Sequence, residues 1–120
     1  MGMDMGFVKV DSQEEVASLR NHWALAESIF ELAPPTYKEG YTDLVIEDWV
    51  IEEVSEQWDV HDAEVVRAEA ALSEAEFEQV CDSSEDEHDL SVLRPVYRRL
   101  LERLYDAASG PDVLVCYWSA

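Results

Sequence analysis

Residues 42–90 read TDLVIEDWVIEEVSEQWDVHDAEVVRAEAALSEAEFEQVCDSSEDEHDL, and the rest of the chain is organised around this acidic segment. It contains 18 Asp and Glu side chains and a single cation, Arg67. Residues 1–41 contain 7 acidic and 3 basic side chains, and residues 91–120 contain 3 acidic and 4 basic ones. Most of the formal net charge of −20 therefore lies in fewer than half of the 120 residues.

The first part of the acidic segment has the pattern of an amphipathic helix. Thr42 is a suitable N-cap for a helix that runs to about Trp58. The apolar side chains that this helix would place on one face are Ile46, Trp49, Val50, Val54 and Trp58. β-Branched residues are frequent over 44–51, however, and they favour strands. Because Glu47-Asp48 lacks the chemistry of a tight hairpin turn, we expect a helix, with a strand over 43–51 as the alternative.

Two more helices are expected before the segment ends. Asp59 or Asp62 can cap a third helix that continues through Leu72. Ser73 and Glu76 have the spacing of a capping box, which predicts a fresh helix from Ser73 to about Cys81. Residues 82–89 contain five carboxylates and no apolar side chain, so we expect a solvated loop there.

The N-terminal third predicts a long first helix. Ser12 and Glu15 match a second capping box. The apolar stripe that follows is Val16, Leu19, Trp23, Ala26 and Phe30. Pro34-Pro35 would end this helix, because proline cannot continue the hydrogen-bond pattern, and a turn over 38–41 follows.

The C-terminal residues predict a basic helix and an apolar tail. Ser91–Ala108 has helical periodicity, with Pro95 in the first turn, where its missing amide costs little. This helix carries the chain's cationic cluster, and we expect it to pair with part of the acidic segment: Arg94, Arg98, Arg99 and Arg103. Residues 113–118 form a strand-like tail that either pairs with residues 7–10 or lies across the helices.

These patterns together predict a mainly α fold in a single domain over residues 1–120. We expect a bundle of four or five helices around one core, with at most a small two-stranded β element formed by the termini. The acidic helical segment spans 42–90 and the Arg-bearing helix spans 91–108. A hydrophobic content of 48% argues against a disordered chain despite the charge.

The charge also restricts the partners. Direct binding to nucleic acid or an anionic membrane is excluded, because phosphate recognition needs a basic footprint. Neither a transmembrane run nor the basic and apolar regions of a signal peptide occur. We therefore expect a soluble, cytoplasmic protein with Cys81 and Cys116 as thiols, a disulfide between them being the alternative.

No recognisable catalytic or metal-binding motif occurs in the chain. Cys81 lies among carboxylates, which disfavour the thiolate that a nucleophile needs. Zinc-type histidine spacing and the glycine of a calcium loop are missing, so His22, His61 and His88 are interpreted as surface residues. We expect no enzyme activity, no cofactor and no metal.

The acidic helices favour a protein that binds a basic partner. Carboxylates four residues apart on a helix lie about 6 Å apart, close to the ~6.8 Å of two steps along a nucleic-acid strand. The row Asp48-Glu52-Glu56, together with a neighbouring row Glu69-Glu74-Glu78, would imitate a phosphate track. The residues expected to contact the partner are Glu47, Asp48, Glu52, Glu53, Glu56, Asp59, Glu69, Glu74, Glu78, Glu85, Asp86 and Glu87.

In composition the chain resembles small acidic inhibitors that phages direct against host restriction or CRISPR proteins, many of which mimic DNA. It is also similar to acidic immunity proteins that neutralise cationic toxins. The resemblance is one of charge and size, since no motif carries it. It implies nucleic-acid mimicry against a nuclease or another basic protein in the host cytoplasm. The alternatives are an immunity-type or adaptor protein for one cationic partner, and a small protein adapted to high salt; a homodimer is compatible with each.

Overall fold

The computed structural model describes residues 2–33 and 44–119, which form five α-helices and four β-strands. In chain order the elements are β1 (Asp4–Lys9), β2 (Glu15–Arg20), α1 (Trp23–Leu32), β3 (Leu44–Val45), α2 (Asp48–Gln57), α3 (Ala63–Ala70), α4 (Glu74–Cys81), α5 (Leu90–Ala108) and β4 (Leu114–Ser119). A 3-10 turn, Glu85–Glu87, lies between α4 and α5.

The strands form one antiparallel sheet in the order β2-β1-β4-β3. Strand β1 pairs with β2 on one side, with Met5 opposite Leu19, and with β4 on the other, with Phe7 opposite Cys116. The prediction of a mainly α helix bundle is therefore wrong, because the fold is α+β. The apolar tail does pair with the N-terminal strand, but as part of a four-stranded sheet and not of an isolated two-stranded element.

The predicted first helix is two elements, the strand β2 and the helix α1. Glu15–Arg20 pairs along β1, and the connecting turn contains Gln13 in the left-handed region, with φ 62°. Asn21, with φ 59°, then redirects the chain into α1. The apolar stripe is misleading because Leu19 is buried equally well by a strand, whose backbone groups are satisfied by β1.

The described part of the range 43–51 contains both a short strand and the start of a helix, so neither alternative covers the whole range. Leu44 and Val45 pair with Cys116 and Val115 of β4, and the amide of Ile46 donates to the Leu114 carbonyl oxygen at 2.9 Å. Helix α2 begins only at Asp48. The expected N-cap, Thr42, the end of the first helix at Pro34-Pro35 and the turn over 38–41 lie outside the described residues.

The second half of the chain follows its local capping signals. Asp62 caps α3 by accepting a hydrogen bond from the Glu64 amide at 2.9 Å. Ser73 and Glu76 form the predicted capping box of α4, which confirms a fresh helix there. Helix α5 begins at Leu90, one residue earlier than predicted, and Pro95 is its sixth residue, which lies in the second turn and not in the first.

The helices cover one face of the sheet, and α5 is the element that joins them. It contacts α2, α3, α4, β2 and β4. Its buried Leu100 and Leu104 belong to the same core as Phe7, Leu19 and Cys116 of the sheet. No helix within the described ranges has both the length and the apolar composition needed to span a membrane. Because the inner surfaces of α2, α3 and α4 pack on α5, the acidic side chains of these helices lie on their outer surfaces.

Candidate partner-binding surface

Helix α2 and the residues that directly follow it carry an exposed acidic surface. The helix buries Val50, Ile51 and Val54, which turns its charged side chains outward. We define the α2 acidic face as Asp48, Glu52, Glu53, Glu56 and Asp59, all of which are exposed. Within the described residues, the side chains of this face form no ion pair or hydrogen bond. Among residues 2–33 and 44–119, no cation therefore pairs with these five carboxylates.

An exposed aromatic ring lies within this face. Trp49 is 48% exposed, although the helical pattern places it with the buried side chains, so that part of the prediction is wrong. Its indole Nε1 donates a hydrogen bond to the carboxylate of Glu47, the exposed N-cap residue of α2. The α2 acidic face thus has an apolar side chain among its charges.

The acidic residues of α3 and α4 behave differently, because α5 supplies cations to them. The guanidinium of Arg99 lies 3.5 Å from the Glu69 carboxylate and 3.7 Å from that of Glu74. Arg103 donates two hydrogen bonds to Glu74, one of them at 2.9 Å, and this contact lowers the pKa of the Glu74 carboxyl. The predicted pairing of the arginine cluster with part of the acidic segment is confirmed for these two arginines.

These ion pairs change the character of one of the two predicted carboxylate rows. Asp48, Glu52 and Glu56 share the α2 helix at the expected spacing. Glu69 belongs to α3, whereas Glu74 and Glu78 belong to α4, so the second row is divided between two helices. Glu69 and Glu74 are also neutralised by arginines, which leaves Glu78 as the exposed, unpaired member within the described residues.

Residues 82–89 are anchored to the fold through one carboxylate. Glu85 accepts hydrogen bonds from the amides of Ala24 at 2.9 Å and Leu25 at 3.3 Å, at the start of α1. It also accepts from the hydroxyl of Tyr97 at 2.5 Å. Glu85 therefore has a structural role, whereas its neighbours Asp86 and Glu87 are exposed.

A buried histidine, His22, adjoins the contact between Glu85 and Tyr97. His22 is completely buried, so its interpretation as a surface residue is wrong; His61 is exposed and His88 is half-buried. The His22 Nε2 lies 3.1 Å from the Val80 carbonyl oxygen, which can only accept, so Nε2 donates this hydrogen bond. Its Nδ1 lies 2.5 Å from the Tyr97 hydroxyl. Burial lowers the pKa of His22, against the opposing charge of Glu85.

The two cysteines, which are the remaining candidate nucleophiles, are both buried. The structure describes both cysteines, and each is a buried thiol, not half of a disulfide. Burial, aided by Asp82, raises the pKa of the Cys81 thiol to about 12, which suppresses the thiolate. Among residues 2–33 and 44–119, no three His, Cys, Asp or Glu side chains are grouped so as to hold a metal ion.

No protein-family model, curated protein or solved structure matches the chain.

Proposed function

We propose that this protein is a non-enzymatic inhibitor that occupies the basic surface of a nucleic-acid-binding or nucleic-acid-processing protein in the cytoplasm. The observation that carries the proposal is the contrast between two sets of carboxylates. Glu69, Glu74 and Glu85 are used by the fold, whereas the five carboxylates of the α2 acidic face have no compensating group among the described residues. Such a surface is best accounted for by a cationic partner.

The spacing of the α2 acidic face suits a phosphate-binding groove. Asp48, Glu52 and Glu56 follow one another at four-residue intervals, which is about 6 Å per step along a helix. A strand of nucleic acid advances ~6.8 Å in two steps. A groove that binds phosphates through Lys and Arg would therefore meet carboxylates at a similar interval, and its encounter with them would be fast and sensitive to salt.

Trp49 favours a second candidate, an immunity-type or adaptor protein that recognises one cationic partner by shape. Exposed tryptophans are frequent anchors of protein interfaces. In that case Trp49→Ala would weaken binding more than removal of any single carboxylate. Under nucleic-acid mimicry, the carboxylates of Glu52, Glu53 and Glu56 matter more than the ring.

The first experiment identifies the partner through the α2 acidic face. A photo-crosslinking amino acid is placed at Gln57, exposed at the end of α2, and in a control protein at Gln79, exposed on α4. We expect Gln57 to capture a nucleic-acid-binding protein that the Gln79 position does not. Capture of the same proteins by both positions would argue against a site on α2.

The second experiment measures binding to the purified partner. Reversing the charge of Glu52, Glu53 and Glu56 to Lys should abolish binding and inhibition while the fold is retained. The matched control makes the same change at three exposed residues elsewhere, Asp11, Glu27 and Asp82, and should keep most of the affinity. Retained inhibition by the α2 variant would refute the proposal.

The competing explanation by salt adaptation makes a different prediction about folding. A protein that needs salt to screen its own repulsion should be unfolded at about 0.1 M KCl and folded at about 2 M. We expect a cooperative thermal transition at both concentrations, measured by far-UV circular dichroism. A chain that folds only in concentrated salt would make the acidity a means of hydration and remove the reason for a basic partner.

A further inference from the structure

A groove with an apolar floor lies between α2 and α5, beside the α2 acidic face. It has a volume of about 410 Å³. Its lining includes Ile51 and Leu101, which are 3% and 2% exposed, and Tyr105, which is 37% exposed. The groove therefore combines a floor of well-packed aliphatic side chains with an aromatic ring that solvent can reach.

The rim of the groove is negatively charged. Glu52, Glu102 and Asp106 line it and are all exposed. The one cation in the described lining is Arg98, which lies 3.2 Å from Glu102 and donates to the Val60 carbonyl oxygen at 3.1 Å. Arg98 is paired with Glu102, and no other cation in the described part of the chain pairs with Glu52 or Asp106, so these two carboxylates remain available to a ligand.

The same chain binds guanidinium groups in a comparable setting. The Arg103 guanidinium carbon lies 4.7 Å from the centroid of the Phe77 ring, and that of Arg99 lies 5.7 Å from it. The carboxylates of Glu74 and Glu69 neutralise both groups. An aromatic ring next to carboxylates thus already serves as an arginine site in this fold.

We propose that the α2–α5 groove receives a single arginine side chain from the basic surface of the partner. The aliphatic stem lies over Ile51 and Leu101, and the guanidinium stacks on Tyr105 between the carboxylates of Glu52 and Asp106. Arginine is favoured over lysine because its planar, weakly hydrated head group stacks on aromatic rings and binds carboxylates in a bidentate manner. The inference rests on the proposed function and adds a subsite to it.

The probe is a short peptide, acetyl-Gly-Arg-Gly-amide, titrated into the isotopically labelled protein and followed by NMR chemical shifts. Peptides with lysine or with neutral citrulline in place of arginine are the ligand controls. We expect saturable shifts around the groove with arginine, weaker binding with lysine and no binding with citrulline. Shifts spread evenly over the acidic surface, or equal affinity for arginine and lysine, would overturn the proposal.

Matched variants separate the groove from general charge. Tyr105→Leu should weaken binding of the arginine peptide by roughly two- to five-fold, and Tyr105→Phe, which keeps the ring, should restore it. Asp106→Asn should weaken binding more than Glu53→Gln, which removes the same charge outside the groove. Equal effects of the last two variants, or wild-type affinity in Tyr105→Leu, would refute an arginine subsite.

The two proposals can be refuted independently. If charge reversal of α2 abolishes binding to the partner while Tyr105→Leu and Asp106→Asn change nothing, the groove is wrong and the acidic face stands. If the arginine peptide occupies the groove while the partner still binds the charge-reversed protein, the inhibitor function is wrong and the subsite stands.

Discussion

Removing three of the five charges of the α2 acidic face should stabilise the isolated protein. The change is the triple substitution Glu52→Gln, Glu53→Gln and Glu56→Gln, which keeps side-chain size and helix propensity nearly constant. These side chains are exposed, and none of them forms an ion pair or hydrogen bond within the described residues. Their loss therefore removes repulsion without removing a contact that holds the fold.

The magnitude follows from the helix spacing. Asp48 and Glu52, Glu52 and Glu56, and Glu53 and Glu56 are like-charge neighbours on α2, and each such pair destabilises a helix by about 0.2–0.5 kcal/mol. Glu56 also lies in the last turn, at the negative end of the helix dipole, where no basic residue offsets it, at a cost of about 0.3–1 kcal/mol. We expect the triple variant to be more stable by about 1–2 kcal/mol at low ionic strength.

The assay is urea unfolding at about 20 mM and about 500 mM NaCl, because the gain should shrink as salt screens the repulsion. The control is Glu74→Gln, which removes the partner of Arg103 and should lower the free energy of unfolding. A triple variant that is less stable than the wild type by more than about 1 kcal/mol would show that these carboxylates support the fold. The argument that they are reserved for a partner would then fail.

Three further predictions concern the hydrogen bonds of Tyr97, the pKa of His22 and the capping box of α4. Tyr97→Phe should lower the free energy of unfolding by about 2–4 kcal/mol in urea titrations, because it leaves the buried His22 Nδ1 and the Glu85 carboxylate without the hydroxyl between them; a loss below about 0.5 kcal/mol would contradict this network. Burial lowers the pKa of His22 in the folded state, so the unfolded state, with a pKa of about 6.5, binds more protons as pH falls. The contribution of His22 to stability should therefore be complete above its unfolded-state pKa and be lost as the pH falls through its folded-state pKa. The measurement is the difference in unfolding free energy between wild type and His22→Gln from pH 7.5 to 5. A difference that grows on acidification would contradict this prediction. Ser73→Ala should cost about 1 kcal/mol by removing the hydroxyl that accepts from the Glu76 amide, and a thermal melt at neutral pH equal to the wild type would show that the capping box contributes nothing.

The parts of the fold that sequence predicts well are those whose signals are local. The caps of α3 and α4 lie within three residues of the groups that they satisfy, so Asp62 and Ser73 mark those helices from sequence alone. The same signal misleads at Ser12, where the hydroxyl faces the Glu14 amide at 3.4 Å within the turn before β2. Local pattern cannot reveal that residues 15–20 pair with β1 while β1 also pairs with β4, more than 100 residues away in sequence.

The candidate site divides in the same way. The outward direction of the α2 carboxylates follows from the periodicity of Val50 and Val54. Which carboxylates are neutralised depends on where α5 lies, and sequence predicts only that some of them are. The structural role of Glu85 and the place of Tyr105 in the groove are not visible in sequence, since each depends on contacts between distant elements. Tyr105, Glu102 and Asp106 lie outside the acidic segment, so a search for charge density overlooks them.

Nucleic-acid mimicry is tested directly by a competition experiment with the partner captured through Gln57. The partner is bound to a labelled DNA duplex, and the protein is titrated in at two salt concentrations. If the α2 acidic face imitates DNA, the protein displaces the duplex completely and its affinity falls with salt. Charge reversal at Glu52, Glu53 and Glu56 should then weaken displacement by at least about 100-fold. Simultaneous binding of the duplex and the protein, or equal displacement by the charge-reversed variant, would contradict it.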